Sequence, residues 1–211
     1  IAHIHHPAWP SNGWLRLAAA DGSGDTPAHG GLDREMGAGA LPGAVAQPAW
    51  LPGGGILTVA QDHGSSNLWL AGSGGDGRWL GTEAGMIGWY SVDAARSAAA
   101  IIVTSQDRPA ALFLVDLGTG QRRLLADLND AWRAETVLQR AEPFTVSTEP
   151  GTEVDCWVMK PADFVEGRSY PVLLAVHGGP FGQYGETFFD EFQVYAGAGY
   201  GIVFCNPRGS S

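Results

Sequence analysis

The residues best suited to chemistry stand four in a row, His177-Gly178-Gly179-Pro180. Acyl transfer builds negative charge on a carbonyl oxygen, and main-chain N–H groups aimed at that oxygen stabilise it. Glycine lets the backbone come close to a substrate and adopt positive φ. Gly178 and Gly179 are therefore expected to donate backbone hydrogen bonds to an oxyanion. Pro180 would support that loop, and His177 would pack or hydrogen-bond beside it rather than act as a general base. The alternative reading is a plain tight turn, which two glycines and a proline form in many settings. A second loop, Asn206-Pro207-Arg208-Gly209-Ser210-Ser211, offers Arg208 as a brace for the same site. No serine has a glycine both two residues before and two residues after it, so the nucleophile of a Gly-x-Ser-x-Gly elbow is missing. Gly209-Ser210-Ser211 imitates only the first half of such an elbow and reads as a loop.

The elements around these loops are those of an alternating sheet. Pro171-Val172-Leu173-Leu174-Ala175-Val176 is an uninterrupted apolar run, which predicts a strand buried on both faces just before the glycine loop. Phe188, Phe189, Phe192, Tyr195 and Ala196 fall at three and four spacing, predicting a helix over 186–198 that stops at Gly197 and Gly199. Tyr200 to Phe204 reads as a further buried strand. Upstream, 143–148 and 154–159 flank Glu149-Pro150-Gly151-Thr152, a β-hairpin signature. Hairpin, strand, glycine loop, helix, strand is the opening order of an α/β-hydrolase sheet, in which one oxyanion donor comes from the loop after the third strand.

The first two thirds follow a different pattern. Pro7-Ala8-Trp9 recurs as Pro48-Ala49-Trp50, 41 residues on, and Leu15 and Asp21 match Ile56 and Asp62 at the same offset. Gln61-Asp62 matches Gln106-Asp107 at 45, and Leu68-Trp69-Leu70 matches Leu112-Phe113-Leu114 at 44. Three copies of 41–45 residues thus begin near residues 7, 48 and 89. Short strands with Gly and Asp turns between them make each copy an all-β unit, and that period fits a β-propeller blade. The equivalent tryptophans Trp9, Trp50 and Trp69 are expected to pack between blades, and the turn aspartates Asp21, Asp62 and Asp107 to bond their own turn backbone. The fold expected is β-propeller blades over 1–130, followed by the N-terminal part of an α/β-hydrolase domain over 131–211. A short helical connector is expected over 130–139.

Composition agrees with that division and excludes several function classes. The 211 residues include 31 Gly and 13 Pro but only 16% charged residues, below the roughly 25% of an average soluble domain. Short strands and turns suit that mix. Twelve basic against 22 acidic residues leave a net charge of −10, which disfavours nucleic acid and anionic membrane surfaces. Apolar stretches fall short of the ~18 residues of a spanning helix, and Ile1 to His6 has no signal-peptide character. Cys156 and Cys205, 49 residues apart, make neither a disulfide framework nor a zinc motif, and a reducing, cytoplasmic setting is expected. His3 and His5 would share one strand face, but without a nearby acidic or Cys partner a surface or packing role is expected. No metal and no cofactor are assigned.

Propeller-type repeats leading into a hairpin, then Val176-His177-Gly178-Gly179-Pro180 and later Asn206-Pro207-Arg208-Gly209-Ser210, resemble the prolyl oligopeptidase family of serine peptidases. The acylaminoacyl-peptidase and dipeptidyl-aminopeptidase-like branches are the most similar. The resemblance covers nearly the whole chain, as a central slice of a longer enzyme. It implies a propeller that restricts access to a Ser-Asp-His site, admitting short peptides and excluding folded proteins. It also implies Gly178 or Gly179 as oxyanion donor, and as partners a peptide substrate, the remainder of the same enzyme and further copies of it. Every triad residue of the family is absent here, so this chain alone is expected to be silent. Two rivals stay open: an esterase of the same fold, and a non-catalytic propeller that binds peptides.

Overall fold

The computed structural model describes residues 1–6, 12–37, 46–72, 74–81, 83–178 and 182–210. The first strands are β1 (Ala2–His5), β2 (Trp14–Leu17) and β3 (Thr26–Pro27), an antiparallel three-stranded sheet. The second copy of the repeat folds as β4 (Ala49–Trp50), β5 (Ile56–Asp62), β6 (Ser65–Ala71) and β7 (Gly77–Leu80), each antiparallel to the next. The third is β8 (Met86–Val92), β9 (Ala98–Ser105), β10 (Arg108–Asp116) and β11 (Arg122–Ala126), again a meander. A single parallel bridge, Ser66 to Met86, joins these two four-stranded units. The register slips between the copies: Trp69 lies opposite Thr58, whereas its counterpart Phe113 lies opposite Ile101, one residue short of the repeat offset. The sheets are open among the described residues.

The units stack face to face, and side-chain alternation along β5 explains how. Successive strand residues point to opposite faces. Leu57 and Val59 enter a core with Leu68, Ile87, Ile101 and Val103 toward the third copy. Ile56 and Ala60 enter another with Leu15, Met36 and Trp69 toward the first. β5 is thus buried on both sides, whereas β9 alternates between buried and half-buried positions. Trp69 packs between copies as expected, edge to face with Trp79 and donating its Nε1–H to the His29 carbonyl at 3.0 Å. Trp50 does not, being 41% exposed, because its short strand β4 lies at the edge of its sheet; Trp9 lies outside the described residues.

The aspartate expectation divides in the same way. Asp21 accepts the Ser23 backbone N–H, a turn contact as foreseen. Asp62 and Asp107 instead take Arg34 and Arg140, each at 2.8 Å, because long-range arginines reach them first. Asp93 and Asp116 cap their own turns by accepting backbone N–H bonds from Ser97 and Ala98, and from Gly118 and Thr119.

After the connector α1 (Asp130–Ala134) comes a second sheet, built from β12 (Ala141–Glu149), β13 (Thr152–Met159), β14 (Val172–Ala175) and β15 (Gly201–Asn206). Its strand order is β12-β13-β15-β14, with β14 and β15 parallel and the other pairs antiparallel. Helix α2 (Asp190–Gly197) connects β14 to β15 and buries Phe192 and Ala196 against Trp157, Met159 and Phe204. It begins four residues later than the spacing predicts. Residues 185–187 instead form a bend, with Glu186 and Phe188 bonded to Gly64 and Thr104 of the repeat units.

Two further expectations are corrected here. β14 is an edge strand of the described sheet, with Val172 and Leu174 exposed at 62% and 70%. Burial on both faces, which the apolar run predicts, is not seen within the described residues. Cys156 and Cys205 lie directly opposite one another on β13 and β15 and are joined in a disulfide. Forty-nine residues of sequence hid a cross-strand pair. Among the described residues no helix is long and apolar enough to cross a membrane.

Candidate functional site

Parallel β14 and β15 end on the same edge of their sheet, so the loops that follow them lie side by side. From β14 the chain runs through Val176 to His177 and Gly178; from β15 it runs from Asn206 to Ser210. The two loops are tied by His177 Nε2 to Ser210 Oγ at 3.0 Å, and His177 Nδ1 sits 2.8 Å from the carbonyl of Gly178. That carbonyl can only accept, so Nδ1 carries a proton. Ser210 Oγ also reaches the Pro207 carbonyl at 2.8 Å. One hydroxyl proton cannot serve both contacts, so Ser210 donates either to the Pro207 carbonyl or to His177 Nε2, and in both arrangements the imidazole ties the two loops together.

Gly178 is exposed, its φ is not positive, and a Cβ built on it meets nothing within 4 Å. No neighbour among the described residues requires glycine there. What its small size leaves is room for something else to approach the main chain. Gly179 and Pro180 lie outside the described residues. Arg208 is exposed, and no acidic group among the described residues pairs with it. It lines a cavity of about 350 Å³ with Ser210, Asp33, Arg34, His63 and Asp155, at the junction of the repeat units with the second sheet. Across that junction His63 Nδ1 meets Asp155 Oδ2 at 2.6 Å.

The residues that sequence reasoning missed hold the far end of the glycine loop. Asn206 accepts the Tyr184 N–H at 2.8 Å and donates back to the Tyr184 carbonyl at 2.9 Å. The Tyr184 ring stands edge-on to His177 and Phe189 and packs against Phe204. Glu186 donates its backbone N–H to the Gly64 carbonyl at 2.7 Å, and its carboxylate takes Gln106 and Arg140 at 3.2 and 3.0 Å. Burial pushes the Glu186 carboxyl above the usual range, against the pull of Arg140. A faint signal existed for one partner: Asp62-His63-Gly64-Ser65 is a hairpin turn, with His63 and Gly64 at φ 46° and 75°. Nothing in the sequence said what that turn touches. On the N-terminal sheet, His3 does find an acidic neighbour, Asp25 at 3.3 Å, 22 residues away. Among the described residues no cluster of three or more His, Cys, Asp or Glu could hold a metal ion.

An all-β repeat stack joined to a mixed sheet that carries a glycine loop at its carboxyl edge is an arrangement found in known peptidases. No protein-family model matches the chain. Among curated proteins it is 33% identical over 179 residues to an uncharacterized peptidase, YuxL, of Bacillus subtilis (strain 168), covering 84% of this chain and 27% of that protein. It is 36% identical over 62 residues to dipeptidyl-peptidase 5 of Trichophyton equinum, covering 28% of this chain and 8% of that one. Among solved structures it superposes on an acylaminoacyl peptidase in complex with Z-Gly-Gly-Phe-chloromethyl ketone with a TM-score of 0.80 and 27% identity, covering 99% of this chain and 31% of the other. The chain belongs to the prolyl oligopeptidase family of peptidases. It spans less than a third of the length of each of these relatives.

Proposed function

We propose that the chain is part of a serine-type peptidase that hydrolyses short peptides. In this reading residues 1–130 are blades of a propeller that limits access, and residues 131–211 open an α/β-hydrolase sheet. The observation that carries it is the pair of parallel strand ends, which bring the His177–Gly178 loop against the Pro207–Ser210 loop and leave Gly178 open. As a nucleophile adds to a peptide carbonyl, the oxygen gains negative charge. Backbone N–H groups of Gly178 and Gly179 would meet it there, each such donor being worth on the order of 10²–10³ in rate. His177 braces the loop and Arg208 flanks it. The Ser-Asp-His triad comes from outside these 211 residues, so the chain by itself is inactive. A peptide-like substrate is supported by the family relative whose structure holds a Gly-Gly-Phe chloromethyl ketone.

The test uses the full-length protein. A fluorophosphonate probe should label it, and it should turn over an aminoacyl-p-nitroanilide faster than a p-nitrophenyl ester. Faster ester turnover would favour an esterase. Peptide binding without labelling or turnover would favour a binding module and end the peptidase reading.

A further inference from the structure

The turn between β9 and β10 belongs to the repeat units, yet its polar groups are spent on the second sheet. Gln106, 2% exposed, accepts the Ala141 N–H through Oε1 at 2.6 Å and donates through Nε2 to Glu186 Oε1 at 3.2 Å. Its carbonyl accepts from Gln193 of α2 at 3.1 Å. Arg140 bridges Asp107 and Glu186 at 2.8 and 3.0 Å, and Thr104 Oγ1 accepts the Phe188 N–H at 3.0 Å. At the neighbouring turn Gly64 accepts the Glu186 N–H, and the two chains approach so closely that a Cβ on Gly185 would collide with the Gly64 backbone and one on Gly64 with the Trp157 ring. Residues 185–188 are therefore gripped by two turns of the repeat units.

That grip reaches the glycine loop through two contacts. The Tyr184 ring stands edge-on to His177, and Gly182 folds back so that a Cβ there would strike the Gly178 carbonyl oxygen. We infer that Glu186 and Gln106 are positioning residues, through which the repeat units set the direction of the Gly178 main chain. This role rests on the peptidase reading above. It makes the stack of β-units part of the reacting geometry as well as a barrier at its entrance. Catalytic groups misplaced by about 1 Å can lose roughly 10²-fold in rate, even when the altered residue is remote.

The experiment compares the full-length protein with its Glu186→Ala and Glu186→Gln variants on an aminoacyl-p-nitroanilide, with hydrogen exchange followed over residues 182–188. E186A should lower kcat by about 10- to 100-fold with KM within about twofold, and should speed exchange of 182–188 while β5 stays protected. E186Q, whose amide oxygen still accepts from Arg140, should recover most of both. Unchanged kcat, unchanged exchange or a change confined to KM would overturn the positioning role while leaving the peptidase reading intact. A wild-type protein without turnover overturns the peptidase reading, and this role with it. Should E186A not fold, Thr104→Val removes the acceptor for Phe188 together with the hydroxyl's bond to the Arg108 carbonyl inside the repeat unit. It should move kcat and exchange in the same direction by less, and no change in either would overturn the inference.

Discussion

β5 and β14 are both rich in aliphatic residues, yet they occupy opposite environments. β5 carries Thr58 and Gln61 among its aliphatics and is buried on both sides, because a β-unit is stacked on each face. β14 reads Val-Leu-Leu-Ala without a polar break and leaves alternate residues exposed at the edge of a four-stranded sheet. Apolar content states what a strand is able to bury; the number of layers around it decides what is buried. The two strands also do different work. β5 is packed into a stack, while the open end of β14 leads to Gly178, where an added Cβ meets nothing within 4 Å among the described residues.

This contrast can be broken or sharpened by substitution. The largest effect should come where backbone meets backbone between the two regions. Gly185→Ala places a Cβ on the Gly64 main chain, and both residues have φ values that L side chains rarely adopt. A loss of about 2–4 kcal/mol is expected in denaturant unfolding; a neutral outcome would mean that the two turns do not meet. Leu57→Ala in β5 should cost about 2–5 kcal/mol, as buried leucines do, and a cost near zero would contradict the burial of β5 on both sides.

Next comes the disulfide that staples β13 to β15. Removing it by Cys156→Ala with Cys205→Ala should cost about 2–4 kcal/mol, and the unfolded wild-type protein should show no thiol to Ellman's reagent before reduction. Two reactive thiols would contradict the pairing. The smallest effect concerns pH. Asp93 and Asp116 are held below the ordinary carboxylate range, chiefly by backbone N–H bonds from Ala98 and Thr119. Their stabilisation is present above the unfolded-state pKa and is lost as pH falls through the lowered folded value. Asp116→Asn should therefore flatten the acid limb of the stability profile slightly, and an unaltered profile would remove Asp116 from that account.

The sequence made part of this legible. The 41–45-residue repeat located β5, β6, β9 and β11 within one or two residues, because their turns carry Gly and Asp, but it began β10 four residues late, since the turn before it is tighter than its composition suggests. It also placed the hairpin at Pro150-Gly151 and the glycine loop after an apolar strand. What it could not convey depended on contacts distant in sequence. Cys156 and Cys205 look unrelated until β13 and β15 pair. Asp62 and Asp107 look like turn caps until Arg34 and Arg140 arrive. The aromatic spacing started the helix at 186, but Gly64, Thr104 and Gln106 claim the backbone and side chains of 185–188 first, and the helix waits until Asp190. The hold on the glycine loop from Tyr184, Asn206 and Glu186 was not readable either.

The most direct measurement is the kcat/KM of the full-length protein and its Gly178→Ala variant on an aminoacyl-p-nitroanilide, alongside their melting temperatures. Since a Cβ at 178 meets no protein atom, the two should melt within about 2 °C of each other, while the intruding methyl lowers kcat/KM by roughly 10²-fold. Equal melting with equal kcat/KM would contradict the claim that the main chain at Gly178 faces the reacting carbonyl.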